Sequence, residues 1–66
     1  MNRLTAAELA RQAGTTNDMV DRFSGRGIIT AGEDGLFDPV DLHRVRIALS
    51  MIEVGVSLDD MARLVE

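Results

Sequence analysis

The chain has no cysteine, lysine, tryptophan or tyrosine, and only one proline and one histidine. Without cysteine there is no disulfide framework and no thiolate metal site. With His43 as the lone imidazole, a zinc site would have to gather carboxylates from distant parts of the chain, so neither metal nor cofactor is expected. Phe23 and Phe37 are the only aromatics. Two phenylalanines do not make the exposed stacking platform that single-strand nucleic-acid binding requires. No long apolar run is present, which excludes a signal peptide of ordinary design and a transmembrane span, and points to a cytoplasmic protein. A Gly-rich phosphate loop and a Ser/His/Asp set on rigid elements are also missing, so the chain does not read as an enzyme.

The missing lysine shapes the charge. Seven arginines face eleven acids, for a formal charge of −4 and a pI of about 4.7. DNA-binding domains usually carry a basic patch and a high pI, so this balance argues against DNA as the partner. It equally disfavours an anionic membrane surface. Arginine as the only strong cation, with abundant Ala, Gly and Val, hints at a GC-rich bacterial genome.

What is present suffices for one small domain over residues 1–66. Hydrophobic residues make up 45% of the chain, enough for a single core and against disorder. A chain of this length buries only about 60% of its unfolded surface, so its stability should be marginal.

The organising stretch is Leu9 to Phe23. Leu9, Ala10 and Ala13 form one apolar stripe at helical spacing, and Met19, Val20 and Phe23 form another. Gly14 sits between them, where a helix must stop and the chain must turn. Thr15 and Thr16 offer hydroxyls to the free amides of a second helix. This is the pattern of a helix-turn-helix, whose second helix often enters the DNA major groove.

The flanking signals extend the pattern. Thr5-Ala6-Ala7-Glu8 is a capping box that starts a first helix over about residues 6–13. The second helix should cover about 17–24 and end in Ser24-Gly25-Arg26-Gly27. Ile28-Ile29-Thr30 and Leu36-Phe37 flank the turn signal Asp34-Gly35 and predict two short paired strands, a wing. Asp38-Pro39-Val40-Asp41 opens a third helix that should run to about Val54 and stop at Gly55. Ser57 caps a last helix that carries Leu58, Met61, Leu64 and Val65 to the end. A chain ending at Glu66 without a terminal cap reads as the N-terminal part of a longer protein.

The order helix-turn-helix, wing, helix, Gly-x-Ser cap, helix resembles the MerR family of bacterial regulators. The residues carrying the likeness are Leu9-Ala10, Gly14, Gly27-Ile28-Ile29, Phe37, Asp41-Leu42 and Val54-Gly55-Val56-Ser57-Leu58, across residues 4–66. The resemblance implies a mostly α, winged helix-turn-helix domain of four helices with a small two-stranded wing, commonly followed by a dimerising coiled coil. In most members the second helix and wing bind promoter DNA. Two departures fall on that surface. The family commonly has arginines where this chain has Asp18 and Asp21, and a basic residue two positions before the wing aromatic, where this chain has Gly35. Carboxylates beside phosphates oppose the counterion release that supplies affinity. The stretch Leu36 to Arg46 also resembles N-terminal modules of actinobacterial signalling proteins, notably adenylate/guanylate cyclases.

The third helix is apolar on more than one side. Leu42, Val45, Ala48, Leu49 and Ile52 share a broad face, and Ile47, Met51 and Val54 extend it. One stripe is enough for core packing, so the excess suggests a surface that meets a partner; the plainer reading is ordinary packing in a core with few aromatics. Asp18 and Asp21 read most simply as solvated acids in the first turns of a helix, and less simply as readers of cytosine amino groups. His43 reads as a surface histidine; a pH-sensing role needs a partner that the sequence does not name.

Two functions follow. The first expectation is a non-catalytic N-terminal regulatory module of a larger bacterial signalling protein, such as a nucleotide cyclase. It would act through protein contacts made by Leu49 and Ile52, with Ile47 and Met51 behind them, on a downstream domain or a second copy. The alternative is the DNA-binding domain of a dimeric MerR-type transcriptional regulator. There Arg22, Arg26 and Arg44, with Arg11, would meet phosphates of double-stranded DNA, and Asn17 would read a base.

Overall fold

The computed structural model describes residues 3–64, with side chains through residue 63. Four helices account for most of it: α1 (Ala6–Ala13), α2 (Asn17–Gly25), α3 (Pro39–Glu53) and α4 (Leu58–Leu64). The expected continuation of the last helix through Val65 to Glu66, and any packing by Leu64, lie outside the described residues.

Each helix begins on the chemistry its sequence supplies. At α1 the Thr5 hydroxyl accepts from the Glu8 amide at 3.1 Å, and a Glu8 carboxylate oxygen accepts from the Thr5 amide at 2.9 Å. This reciprocal bonding satisfies two of the donors that a helix start leaves free. At α2 it is Thr16 that caps, accepting from the Met19 amide at 3.2 Å. At α3 the bond closing the first turn runs from the Asp38 amide to Asp41, at 3.1 Å, while Pro39 takes the position where no amide is needed. At α4 the Ser57 hydroxyl accepts from the Asp60 amide at 3.1 Å.

The turn between α1 and α2 depends on Gly14. Its φ of +75° places it in the left-handed region, and the next amide, Thr15, returns to the Ala10 carbonyl at 2.9 Å. A side chain there would strain the backbone, so glycine is the residue the turn accepts.

The core draws one or two residues from every element. Leu9, Val20, Phe23, Ile29 and Val45 are fully buried, joined by Leu4, Ala10, Ile28, Phe37, Ala48 and Met61. α1 packs against both α2 and α3, so it is the element through which the recognition-type pair is fixed to the long helix. Burying a side chain such as Phe23 or Leu9 is worth roughly 1.5–3 kcal/mol each.

The wing takes another form than expected. Among the described residues there is no strand, and Ile28-Ile29-Thr30 does not pair with Leu36-Phe37. Ile28 and Ile29 are both buried at 4% and 0% exposure. Consecutive residues of one strand point to opposite faces, so two adjacent inward side chains do not suit a strand with one solvent face. The backbone of Phe37 pairs instead with Leu4, in an isolated antiparallel bridge with bonds of 2.8 and 2.7 Å. The turn survives as a tight loop, closed by the Gly32 amide on the Leu36 carbonyl and the Gly35 amide on the Gly32 carbonyl, both at 2.9 Å. Arg3 ties this loop to the chain start through Asp34, Asp38 (3.2 Å) and the Leu36 carbonyl (3.1 Å).

Candidate nucleic-acid interface

α2 buries Val20 and Phe23 and turns Asn17, Asp18, Asp21, Arg22 and Gly25 outward. These five outward positions follow the helical repeat and form one exposed strip. Asn17 is the first residue of the helix, where a side chain of a recognition helix reaches furthest toward base edges.

The strip contains an internal ion pair. Asp18 Oδ2 lies 3.1 Å from Arg22 Nε, one helical turn away. Both side chains are well exposed, so the pair contributes a few tenths of a kcal/mol, on the order of other surface pairs at this spacing. Its electrostatic effect matters more. The two charges cancel locally, leaving Asp21 as the uncompensated charge of the strip and Arg22 already engaged.

The remaining cations are divided between paired and free. Arg26, the residue capping the end of α2, holds Asp59 in the first turn of α4 at 3.2 Å. Arg46 donates to the Gln12 carbonyl at 3.3 Å, and Arg3 is held by the loop acids. Arg44 and Arg11 are exposed and make no ion pair among the described residues. Arg44 lines an open groove of about 390 Å³ together with Gly27, Ile28, Ile47, Met51 and Met61. The groove thus sets Arg44 of α3 on the same opening as Gly27 and Ile28, which follow α2 in the chain. Asn17 and Arg22 share the α2 strip, Arg26 caps its far end while holding Asp59, and Arg44 lines the adjoining groove at Gly27.

The apolar residues singled out on α3 divide unevenly. Leu49 and Ile52, expected to lead a contact surface, are half-buried and pack against the core, as does Met51. Exposure falls instead on Ile47 at 48% and Val54 at 79%. His43 is exposed. No group of three or more His, Cys, Asp or Glu is arranged to hold a metal ion among the described residues. No described helix is long and apolar enough to cross a membrane.

Two ion pairs on this surface were not singled out from the sequence. Asp18–Arg22 had a local signal, acid and arginine four residues apart on a predicted helix. Arg26–Asp59 joins residues 33 positions apart, and nothing local announces it.

No family model matches the chain. Known proteins similar in sequence are nonetheless consistent in kind. The chain is 36% identical, over a 69-residue alignment, to the HTH-type transcriptional regulator MerD of Acinetobacter calcoaceticus, covering 97% of this chain and 57% of that protein. It is 33% identical to MerD of Shigella flexneri, with 97% and 58% coverage, and 35% identical to MerD of Pseudomonas aeruginosa, with 97% and 57%. The chain therefore spans little more than half the length of these relatives. In fold it is similar to HiNmlR, a MerR family regulator lacking the sensor domain, solved bound to promoter DNA. The TM-score is 0.81 at 22% identity, over 96% of this chain and 54% of that one.

These likenesses overturn the first functional expectation. The similar proteins are transcriptional regulators, not enzymes or cyclase modules, and the similar fold was solved on DNA. The acidity of Asp18 and Asp21 and the net charge had favoured the other reading, but the likenesses in sequence and fold are to regulators and back the DNA-binding alternative better. In fold, then, the chain is similar to a MerR family regulator, and in sequence it is similar to MerD regulators.

Proposed function

We propose that the chain is the DNA-binding domain of a MerR-type transcriptional regulator and works in the cytoplasm on double-stranded DNA. The observation that carries this reading is the likeness in fold to a regulator solved on promoter DNA, at a TM-score of 0.81, supported by the similarity to MerD proteins. In this reading α2 lies in the major groove with Asn17 toward the bases. Arg22, Arg26 and Arg44 meet phosphates on either side. Arg44 is ready to do so as the structure stands, whereas Arg22 and Arg26 first exchange Asp18 and Asp59 for phosphate. Such exchange lowers affinity, while the phosphate contacts themselves make binding depend on salt. The whole regulator holds two copies so that two half-sites are engaged together. Of the α3 residues expected to make contacts, Ile47 is the exposed one and the one we assign to contact with that second copy, since Leu49, Met51 and Ile52 pack against this domain's own core.

An NMR shift titration with generic duplex DNA tests the reading. A single half-site binds weakly, so ~20 mM salt and millimolar concentrations suit the measurement. Shifts confined to α2, Gly35 and Arg44 that fade as salt rises are expected. An unchanged spectrum under these conditions would remove DNA binding from this domain.

A further inference from the structure

We propose that Asp21 is a specificity-determining residue of this domain, its carboxylate accepting a hydrogen bond from a cytosine N4 amino group in the major groove. The inference rests on the DNA-binding reading above and adds to it the base that the helix prefers.

The argument begins with the geometry of the α2 strip. Asn17 and Asp21 stand one turn apart, as do Asp18 and Arg22 beside them. Asp18 is occupied by Arg22 at 3.1 Å. Asp21 is exposed and has no ion pair and no side-chain hydrogen bond among the described residues. It is the free carboxylate on the outward face of the helix, with Asn17 as its neighbour on the N-terminal side.

A carboxylate in that place can be satisfied by few chemical groups in duplex DNA. Guanine presents two acceptors in the major groove, and thymine an acceptor and a methyl group. Adenine presents its donor beside the N7 acceptor. Cytosine alone presents a donor with no acceptor of its own. An ionised acceptor therefore favours cytosine and repels the acceptor-bearing edges, which is discrimination by attraction and by repulsion together.

The acidity of the strip is then consistent with binding rather than opposed to it. Non-specific affinity comes almost entirely from phosphate electrostatics, and a fixed negative charge on the reading helix lowers it at every sequence. At a site with cytosine in the right place, the hydrogen bond restores part of what repulsion removes. The ratio of specific to non-specific binding rises although the absolute affinity falls. Arg26 and Arg44, at the far end of α2, supply the phosphate contacts that hold the helix in register.

Selection from a randomised duplex library tests the proposal, using the 66-residue chain and its Asp21→Ala variant at ~50 mM salt. The variant should fold as the parent does, which circular dichroism checks, because Asp21 is exposed. The parent should enrich cytosine at one position of the half-site, and the variant should lose that preference while binding mixed sequences more tightly. Replacing that cytosine with deoxyuridine opposite adenine turns the donor into an acceptor without adding a methyl group. The change should cost the parent about tenfold in affinity and the variant under about twofold. Asp21→Asn, which can both donate and accept, should accept adenine at the same position. If parent and variant enrich the same bases throughout, or lose equally from the uridine replacement, Asp21 reads nothing and the DNA-binding reading still stands. If the parent enriches no sequence at all, Asp21 reads nothing; the DNA-binding reading falls with it only where the duplex titration at ~20 mM salt also leaves the spectrum unchanged.

Discussion

Asp18 and Arg22 face each other across one turn of α2, carboxylate oxygen to guanidinium nitrogen at 3.1 Å, on the side of the helix turned away from the core. The free domain thus presents a neutralised couple where a DNA-binding helix needs a cation. Removing the acid should release the arginine. Asp18→Ala is expected to tighten binding to mixed-sequence duplex at ~50 mM salt by roughly fivefold, about 1 kcal/mol of relieved repulsion. Arg22→Ala should weaken binding at all sequences alike and reduce the slope of log affinity against log salt by about 1. Fluorescence anisotropy over a salt series measures both. Equal affinities for Asp18→Ala and the parent at every salt would show that the couple does not limit binding.

Gly14 is the cleanest test of the turn between α1 and α2. Its φ is +75°, and a Cβ built there meets nothing within 4 Å. The cost of Gly14→Ala is therefore one of backbone conformation, about 1–2 kcal/mol. In a domain of this size that lowers Tm by roughly 4–8 °C per kcal/mol. Gly14→Asn should cost less, because asparagine visits the left-handed region more readily. Thermal melts of the two variants should rank in that order.

Phe23 is completely buried and lies on the inner side of the recognition-type helix. Phe23→Ala is expected to cost about 3–5 kcal/mol. A 66-residue domain has roughly 3–10 kcal/mol in total, so the variant should be largely or partly unfolded at room temperature by circular dichroism. Phe23→Leu keeps more of the volume and should retain a cooperative melt.

Glu8 carries a pH signature. The hydrogen bond from the Thr5 amide, then that from the Thr5 hydroxyl, hold its carboxyl below the ordinary value of 4.5. A group whose pKa is lowered by folding stabilises the fold when ionised. Its contribution is complete above about pH 4.5 and is lost as pH falls through the lowered folded-state value. Glu8→Gln keeps the shape of the capping box and removes the charge. The Tm of the parent should exceed that of the variant at pH 7, and the gap should close by pH 3. A gap unchanged between the two would mean that the charge plays no part in the cap.

Much of this domain could be read without its structure because the signals were local. Thr5 with Glu8, Gly14 with Thr16, Asp38 with Pro39, and Ser57 with Asp60 each act across two to four residues. They set helix limits that agree with the observed ones to within a residue or so. The apolar residues Leu9, Val20, Phe23 and Val45 lie on helical repeats and point inward because only that arrangement removes them from water together. The candidate binding residues were harder to place. Their identities were legible, but whether an arginine is free or engaged depends on acids that lie far away in the chain, as with Arg26 and Asp59.

By itself, then, the sequence determined the starts of the four helices, the stops of the first three and the turn at Gly14, since hydrogen bonds between near neighbours and the helical repeat decide these. The tertiary structure decided which backbone met Phe37. Leu4 took that edge because Ile28 and Ile29 both turned into the core. It also drew Leu49 and Ile52 toward the core, left Ile47 in the open, and placed Arg44 beside the end of α2. These outcomes rest on contacts between residues distant in the chain, and packing selects them only when every element competes for the same interior.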